Sequence, residues 1–192
     1  YFQTNSGGKV GILEGASVSA DRFDVRAPES IDILIENGDF SVNGFLGGLE
    51  GLSGTGSMDI NVVDGDLNLA AGILSSEGEL AVQADSVAVD DASVFMGNDL
   101  DVTTQGNMDL RTMSETISAE VTGTGTMNIN EADDVEIVSA KTYNGDIDIS
   151  SGGTITATSV KTNQGGNINL EAGGNIEVDL VEALTTQGLE KT

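Results

Sequence analysis

The side chains able to do acid–base or ion chemistry in this sequence are almost all carboxylates. There are 32 Asp plus Glu against seven Lys plus Arg, no His and no Cys, for a formal net charge of −25. Without His or Cys, the usual nucleophile–base pairs and the His/Cys zinc sets are excluded. Asp133-Asp134 is the nearest approach to the two carboxylates that flank a glycosidic bond in sugar hydrolysis. The nearest basic residue to it is Lys141, and the chain has no Trp on which a sugar could stack. An aspartate beside a strand is otherwise a turn former. We therefore expect no catalytic residues and no enzyme. Gly54-Thr55-Gly56 is a glycine-rich turn without the Lys and Ser/Thr of a phosphate loop.

A second set of carboxylates recurs at regular distance: Asp59, Ala81, Asp101, Asn128, Asp148, Asn169. Carboxylates alternate with an amide or a methyl, and like charges stacked directly opposite destabilise a sheet. The alternation reads as avoidance of repulsion on a solvated face, with Asn bonding to Asp. The sharper alternative is weak Ca2+ binding, although the Gly-Gly-x-Gly-x-Asp signature of calcium-binding rolls is missing. No metal-ligand set and no cofactor is assigned. So acidic a surface repels phosphate backbones and anionic lipid, so no nucleic-acid partner is expected. No stretch approaches the length of apolar chain needed to span a bilayer, so no direct membrane insertion is expected either.

What positions these side chains is a short repeat. Gly or a small polar residue precedes a polar residue and then an apolar-x-apolar strand: Gly65-Asp66-Leu67-Asn68-Leu69, Gly78-Glu79-Leu80-Ala81-Val82, Gly145-Asp146-Ile147-Asp148-Ile149, Gly166-Asn167-Ile168-Asn169-Leu170. Each is a period-2 strand after a turn signal. The first apolar residues fall into pairs: Ile33 with Phe40, Met58 with Leu67, Leu80 with Val87, Leu100 with Met108, Met127 with Val135, Ile147 with Ile155, Ile168 with Ile176. Pair starts are separated by 25, 22, 20, 27, 20 and 21 residues. A period near 20 is too short for a domain and suits one turn of a solenoid. A weaker third apolar segment follows five of the pairs, at Ile73-Leu74, Val94 to Met96, Val138 to Ala140, Val160 and Val181 to Leu184.

The expected fold is all-β, a parallel β-helix (β-solenoid) of three-sided coils, about 20 residues each, roughly seven to eight in number. Seven coils at about 4.8 Å give a rod of about 34 Å. Val10, Ile12, Val18, Phe23 and Val25 form a degenerate first coil, and the single proline, Pro28, precedes the clear repeats. No amphipathic helical pattern persists, so helix is not expected. With no Cys, no disulfide framework holds the chain, and stability must come from repetitive packing. Tyr1-Phe2-Gln3 matches the end of a protease-site tag; residues 4–192 then read as one solenoid segment excised from a larger protein.

The run Ile155 to Val178, with Gly165-Gly166-Asn167-Ile168-Asn169-Leu170-Glu171-Ala172-Gly173-Gly174-Asn175-Ile176, resembles the repeats of filamentous-haemagglutinin-type bacterial exoproteins and adhesins. The likeness is close over the last 60 residues and looser back to residue 57. It implies a right-handed helix, an extracellular or cell-surface location in a Gram-negative bacterium, and structural or adhesive work. The partners it implies are neighbouring solenoid coils of the parent protein and a host or matrix ligand. The family's secretion-domain Asn-Pro motifs do not occur here, and the family supplies no catalytic residue to carry over. Asp133-Asp134 also bears a faint similarity to the paired aspartates of pectin hydrolases, which makes a polysaccharide lyase or hydrolase the rival enzyme reading.

If the segment recognises anything, the two long coils are the place. One excess lies in Asn43 to Ser57 and holds Phe45, Leu46, Leu49 and Leu52 among glycines. The other lies in Arg111 to Thr126 and carries Arg111, the only basic residue between Arg26 and Lys141. Insertions on one face of a solenoid often face the ligand. The alternative is that these residues complete the third wall of the core, as Ile117 and Val121 would.

Overall fold

The computed structural model describes residues 2–3, 10–12, 25–27, 31–36, 38–43, 50–54, 56–70 and 72–184. Among them every element is a β-strand, and every strand pairing is parallel. The strands stack as a β-solenoid of about 6 turns, with partners about 20 residues apart. Parallel pairing at this separation follows from the repeat: apolar-x-apolar in each coil places the same inward side chain over its equivalent in the next.

Three walls carry the stack. The first runs from Met58–Val62 through Glu79–Ala84 to the end of Val94–Thr104, with Met58 over Leu80 and Leu80 over Leu100. The second contains Leu67–Ala70 and Val87–Val89 and continues into the start of Met108–Thr124. The third pairs Glu50–Gly54 with Gly72–Ser76, and that strand with residues 94–96. Inward positions alternate with outward ones, as a period of two requires. Met58, Ile60, Leu67, Leu69, Leu80, Val87, Leu100, Met108, Met127, Ile129, Ile147 and Ile155 are all buried in one continuous core. Each large aliphatic side chain so buried contributes about 1.5–3 kcal/mol, and among the described residues Phe40 and Phe95 are the only aromatic side chains in that core.

The register departs from the sequence expectation in its middle. Leu100 pairs with Ile117, not with the Met127 position, and Met127 pairs with Met108. The 27-residue coil is therefore two ordinary steps in different walls. Met108, Met127, Ile147 and Ile168 form one second-wall ladder, while Ile137, Ala157 and Val178 continue the first. The cause lies in Met108–Thr124, a single 17-residue strand that turns from the second wall to the first without a glycine break. The motif Ile117-Ser118-Ala119 lacks the leading Gly that marks the other strands, so the pattern passes over it. The segments Ala140, Val160 and Val181 likewise stack on the first wall, below Ala119, rather than forming a third. A bulge inserts Val138 between Ile137, opposite Ile117, and Ser139, opposite Ser118. Beyond it the first wall continues as two short strands per coil, Ile155–Ala157 and Val160–Thr162. Of the residues expected in the first, degenerate coil, Val10 pairs with Ile33 and Val25 with Leu52, while Val18 and Phe23 lie outside the described residues.

Corners are held between coils by side-chain acceptors. Asp39 Oδ1 accepts from the Asp66 amide (3.0 Å), Asn107 Oδ1 from Thr126 (3.1 Å) and Asp146 Oδ1 from Asn167 (2.6 Å). The second-wall corner also stacks Gly106, Gly125, Gly145 and Gly166, where a Cβ would press on the backbone or side chain of the coil before. A Cβ on Gly145 would overlap the Gly125 carbonyl oxygen.

Two substitutions test this architecture. Gly145→Ala should cost about 1–3 kcal/mol through that overlap, read as a lowered denaturation midpoint. Ile147→Asp places an unpaired charge at a fully buried position, costing several kcal/mol. Its loss of amide protection should be greatest in the coils holding Met127 and Ile168, because contacts in a solenoid are local. Uniform loss along the chain would contradict a one-dimensional stack.

Candidate functional site

The residues singled out by sequence are dispersed. Leu52 is fully buried, paired with Val25 on one side and Leu74 on the other. It belongs to the core wall and presents nothing to a partner. Phe45, Leu46 and Leu49 lie outside the described residues. Arg111 is exposed on the second wall, and residues 111–124 are continuous strand of an ordinary coil. Ile117 and Val121 within it are fully buried. The Arg111 guanidinium meets Asp91 Oδ1 at 3.1 Å across one coil, and both side chains are exposed, so solvent screens the pair.

Asp133 and Asp134 form the corner after Met127–Glu131. Asp134 Oδ1 accepts from the Thr154 amide (2.6 Å), and the Asp133 carbonyl accepts from the Gly153 amide (3.1 Å) and from the Ser151 hydroxyl. Both residues thereby hold the corner to the next coil. The acidic row divides into two, as the register requires. Asp32, Asp59, Ala81, Asp101 and Ser118 lie in sequence on the first wall, whereas Asp109, Asn128, Asp148 and Asn169 lie on the second. Asn128 Nδ2 donates to Asp109 Oδ1 at 2.9 Å, the Asn–Asp bond that alternation permits. Burial, and then the Glu120 carboxylate one coil on, raises the Asp101 carboxyl above its ordinary value. Among the described residues no three His, Cys, Asp or Glu side chains are grouped to hold a metal ion.

The polar centre that sequence reasoning missed is inside the solenoid. Glu131 ends the strand Met127-Asn128-Ile129-Asn130-Glu131, whose inward positions are 127, 129 and 131, and its side chain is only 2% exposed. Its ladder neighbours are Thr112 before and Ser151 after, also buried. The carboxyl gathers three amides: Ser114 on Oε2 (3.1 Å), Ala132 (2.8 Å) and Asp133 (3.4 Å) on Oε1. The Thr112 and Ser114 hydroxyls nearby make no hydrogen bond of good geometry. Burial raises the Glu131 carboxyl, and the hydrogen bonds pull it back only in part. The available signal was the alternation itself, which puts residue 131 on the same side as Met127 and Ile129.

On the outer surface, a groove of about 660 Å³ runs beside this corner. Met96 and Met113, adjacent in register, lie along it, with Glu77, Glu115, Asp133 and Asp134 around them. Comparison with protein-family models, with curated proteins and with solved structures found no match. What the fold defines is thus a class, an acidic parallel β-solenoid; the likeness to filamentous-haemagglutinin repeats rests on the sequence pattern alone.

The acidic rows predict an ionic response. With Asn128 already spanning to Asp109 and the remaining carboxylates split between two walls, millimolar calcium should raise the melting temperature no more than magnesium or sodium at equal ionic strength. A large calcium-specific rise in a thermal melt would instead demand a metal site on one of these rows.

Proposed function

We propose that this chain is a structural stretch of a large secreted or surface-displayed bacterial protein, a stalk or scaffold that projects or presents regions elsewhere in the parent. The observation that supports this reading is the parallel ladder that continues, with local register shifts, from coil to coil among the described residues. One core runs from Ile33 to Val160, and every coil is bonded through its backbone to the next. Such a rod is stiff along its axis because bending it means breaking stacked strands. Its outward rows of Asp, Asn, Ser and Thr keep the sides hydrated and mutually repellent, as a projecting element requires. The proposed location is extracellular or at the cell surface, in keeping with the resemblance of residues 155–178 to exoprotein repeats.

A second reading, a module that itself binds a host or matrix ligand, is favoured by the groove holding Met96 and Met113. Thioethers adapt to varied apolar partners, and Met113 is 45% exposed on a protein whose other apolar side chains mostly face inward. The two readings separate on an array of glycans and matrix proteins probed with the chain. The stalk reading expects no reproducible binding above that of a scrambled acidic control. A specific hit abolished by Met113→Glu, with the melting temperature unchanged, would replace it by the binding module.

A further inference from the structure

Glu131 is the only charged residue among the buried side chains described. It bridges two coils, since Ser114 lies 17 residues earlier in the preceding turn while Ala132 and Asp133 follow it in its own. We propose that Glu131 is a proton-operated clasp between these coils, dry and closed when protonated, and opened to water when it ionises.

Several features of the geometry carry this. No countercharge faces the carboxyl. On the neighbouring strand Met108–Thr124, Asp109, Arg111, Glu115 and Glu120 all point to solvent, and Thr112 and Ser114 are the residues turned inward. On Ile147–Ser151 the charge is Asp148, which is exposed, and Ser151 faces in. On Val135–Asn144 Glu136 is exposed and Lys141 half-buried on the outer row, and in the corner Asp133 and Asp134 are exposed. An ionised Glu131 therefore has only neutral dipoles, the three amides and the Thr112 hydroxyl, to replace water. A carboxylate so placed is disfavoured unless it shifts its equilibrium or recruits solvent. The Ser114 hydroxyl, which has no hydrogen-bond partner, lies with the Thr112 hydroxyl and the carboxyl where water would be held, because a buried water needs several polar partners.

The direction follows from linkage. Burial holds the native carboxyl above its ordinary value of 4.5, so the folded chain binds this proton more tightly than the unfolded chain. The stabilisation from Glu131 is complete below the ordinary value and is lost as pH rises through the elevated one. The net charge of −25 also favours acid, but it acts on every coil alike, whereas the clasp acts at one seam.

Amide hydrogen exchange, corrected for intrinsic rates, tests the clasp between about pH 4 and about pH 8. In the unmodified chain, opening at Ser114, Ala132 and Asp133 should rise by up to about tenfold per pH unit, then level off above the carboxyl midpoint. The Ile147 and Ile155 amides should not follow, and in Glu131→Gln the three amides should lose this dependence. A carboxyl-carbon NMR titration of Glu131 in the unmodified chain gives a second reading that needs no variant. A midpoint at or below the ordinary glutamate value overturns the proposal, as does a pH response at the three amides shared by Glu131→Gln.

Discussion

Backbone hydrogen bonds between coils impose the constraint from which the other features follow. In a parallel stack each residue's amide and carbonyl point along the axis, so every side chain has its equivalents about 20 residues before and after as immediate neighbours. Inward, that places Ile on Ile and Leu on Leu, as at Ile147 over Ile168 and Leu80 over Leu100. At corners it places glycine on glycine, since the close approach of successive turns at Gly125, Gly145 and Gly166 leaves no space for a Cβ. Outward, it places charge on charge, and the sequence answers with Asn128 between Asp109 and Asp148.

The same constraint explains the basic residues. Glu120, Lys141, Lys161 and Glu182 occupy one outward row, with Lys161 Nζ 3.0 Å from Glu182 Oε2. Two lysines are stacked, and a glutamate stands at each end of the pair. Corner Asp and Asn residues act likewise along the axis. Asp39, Asn107, Asp134 and Asp146 each spend a side-chain oxygen on an amide of the following coil. Some of the protein's carboxylates are thus engaged in joining coils.

Irregularity concentrates where the cross-section changes. In the coil holding Val87 and Phe95 a turn at residues 90–93 separates the second wall from the third, with Asp90 Oδ1 accepting from the Ala92 amide (3.0 Å) and the Ser93 hydroxyl (2.5 Å). One coil later that turn is gone, and Thr112 stands directly under Phe95. The interior ladder then passes from Leu52 and Phe95 to Thr112, Glu131 and Ser151. A buried polar file follows Phe95 because the shortened coil brings a chain bend, with its backbone amides, into the core. Glu131 and then Ser151 serve those amides, the latter accepting from Gly153 at 3.0 Å.

By itself the sequence determined the solenoid, its period and which residues face inward, because a parallel stack repeats one local pattern and a period of two fixes the face. Leu67-Asn68-Leu69 and Ile147-Asp148-Ile149 are legible without coordinates. Which motif stands on which was decided only by the tertiary structure. Leu100 and Met127 carry equivalent local patterns, yet Ile117 intervenes, since a strand can round a corner without glycine and a lost turn shifts the phase of all that follows. The acidic row split for that reason. Arg111 became a strand residue and Leu52 a core residue for a related one: coil length depends on how the chain bends in space, which local spacing does not encode. Glu131 shows the limit most plainly. Alternation marks it as inward, but that its carboxyl gathers amides from two coils with no countercharge beside it depends on contacts 17 residues apart, which only the folded stack brings together.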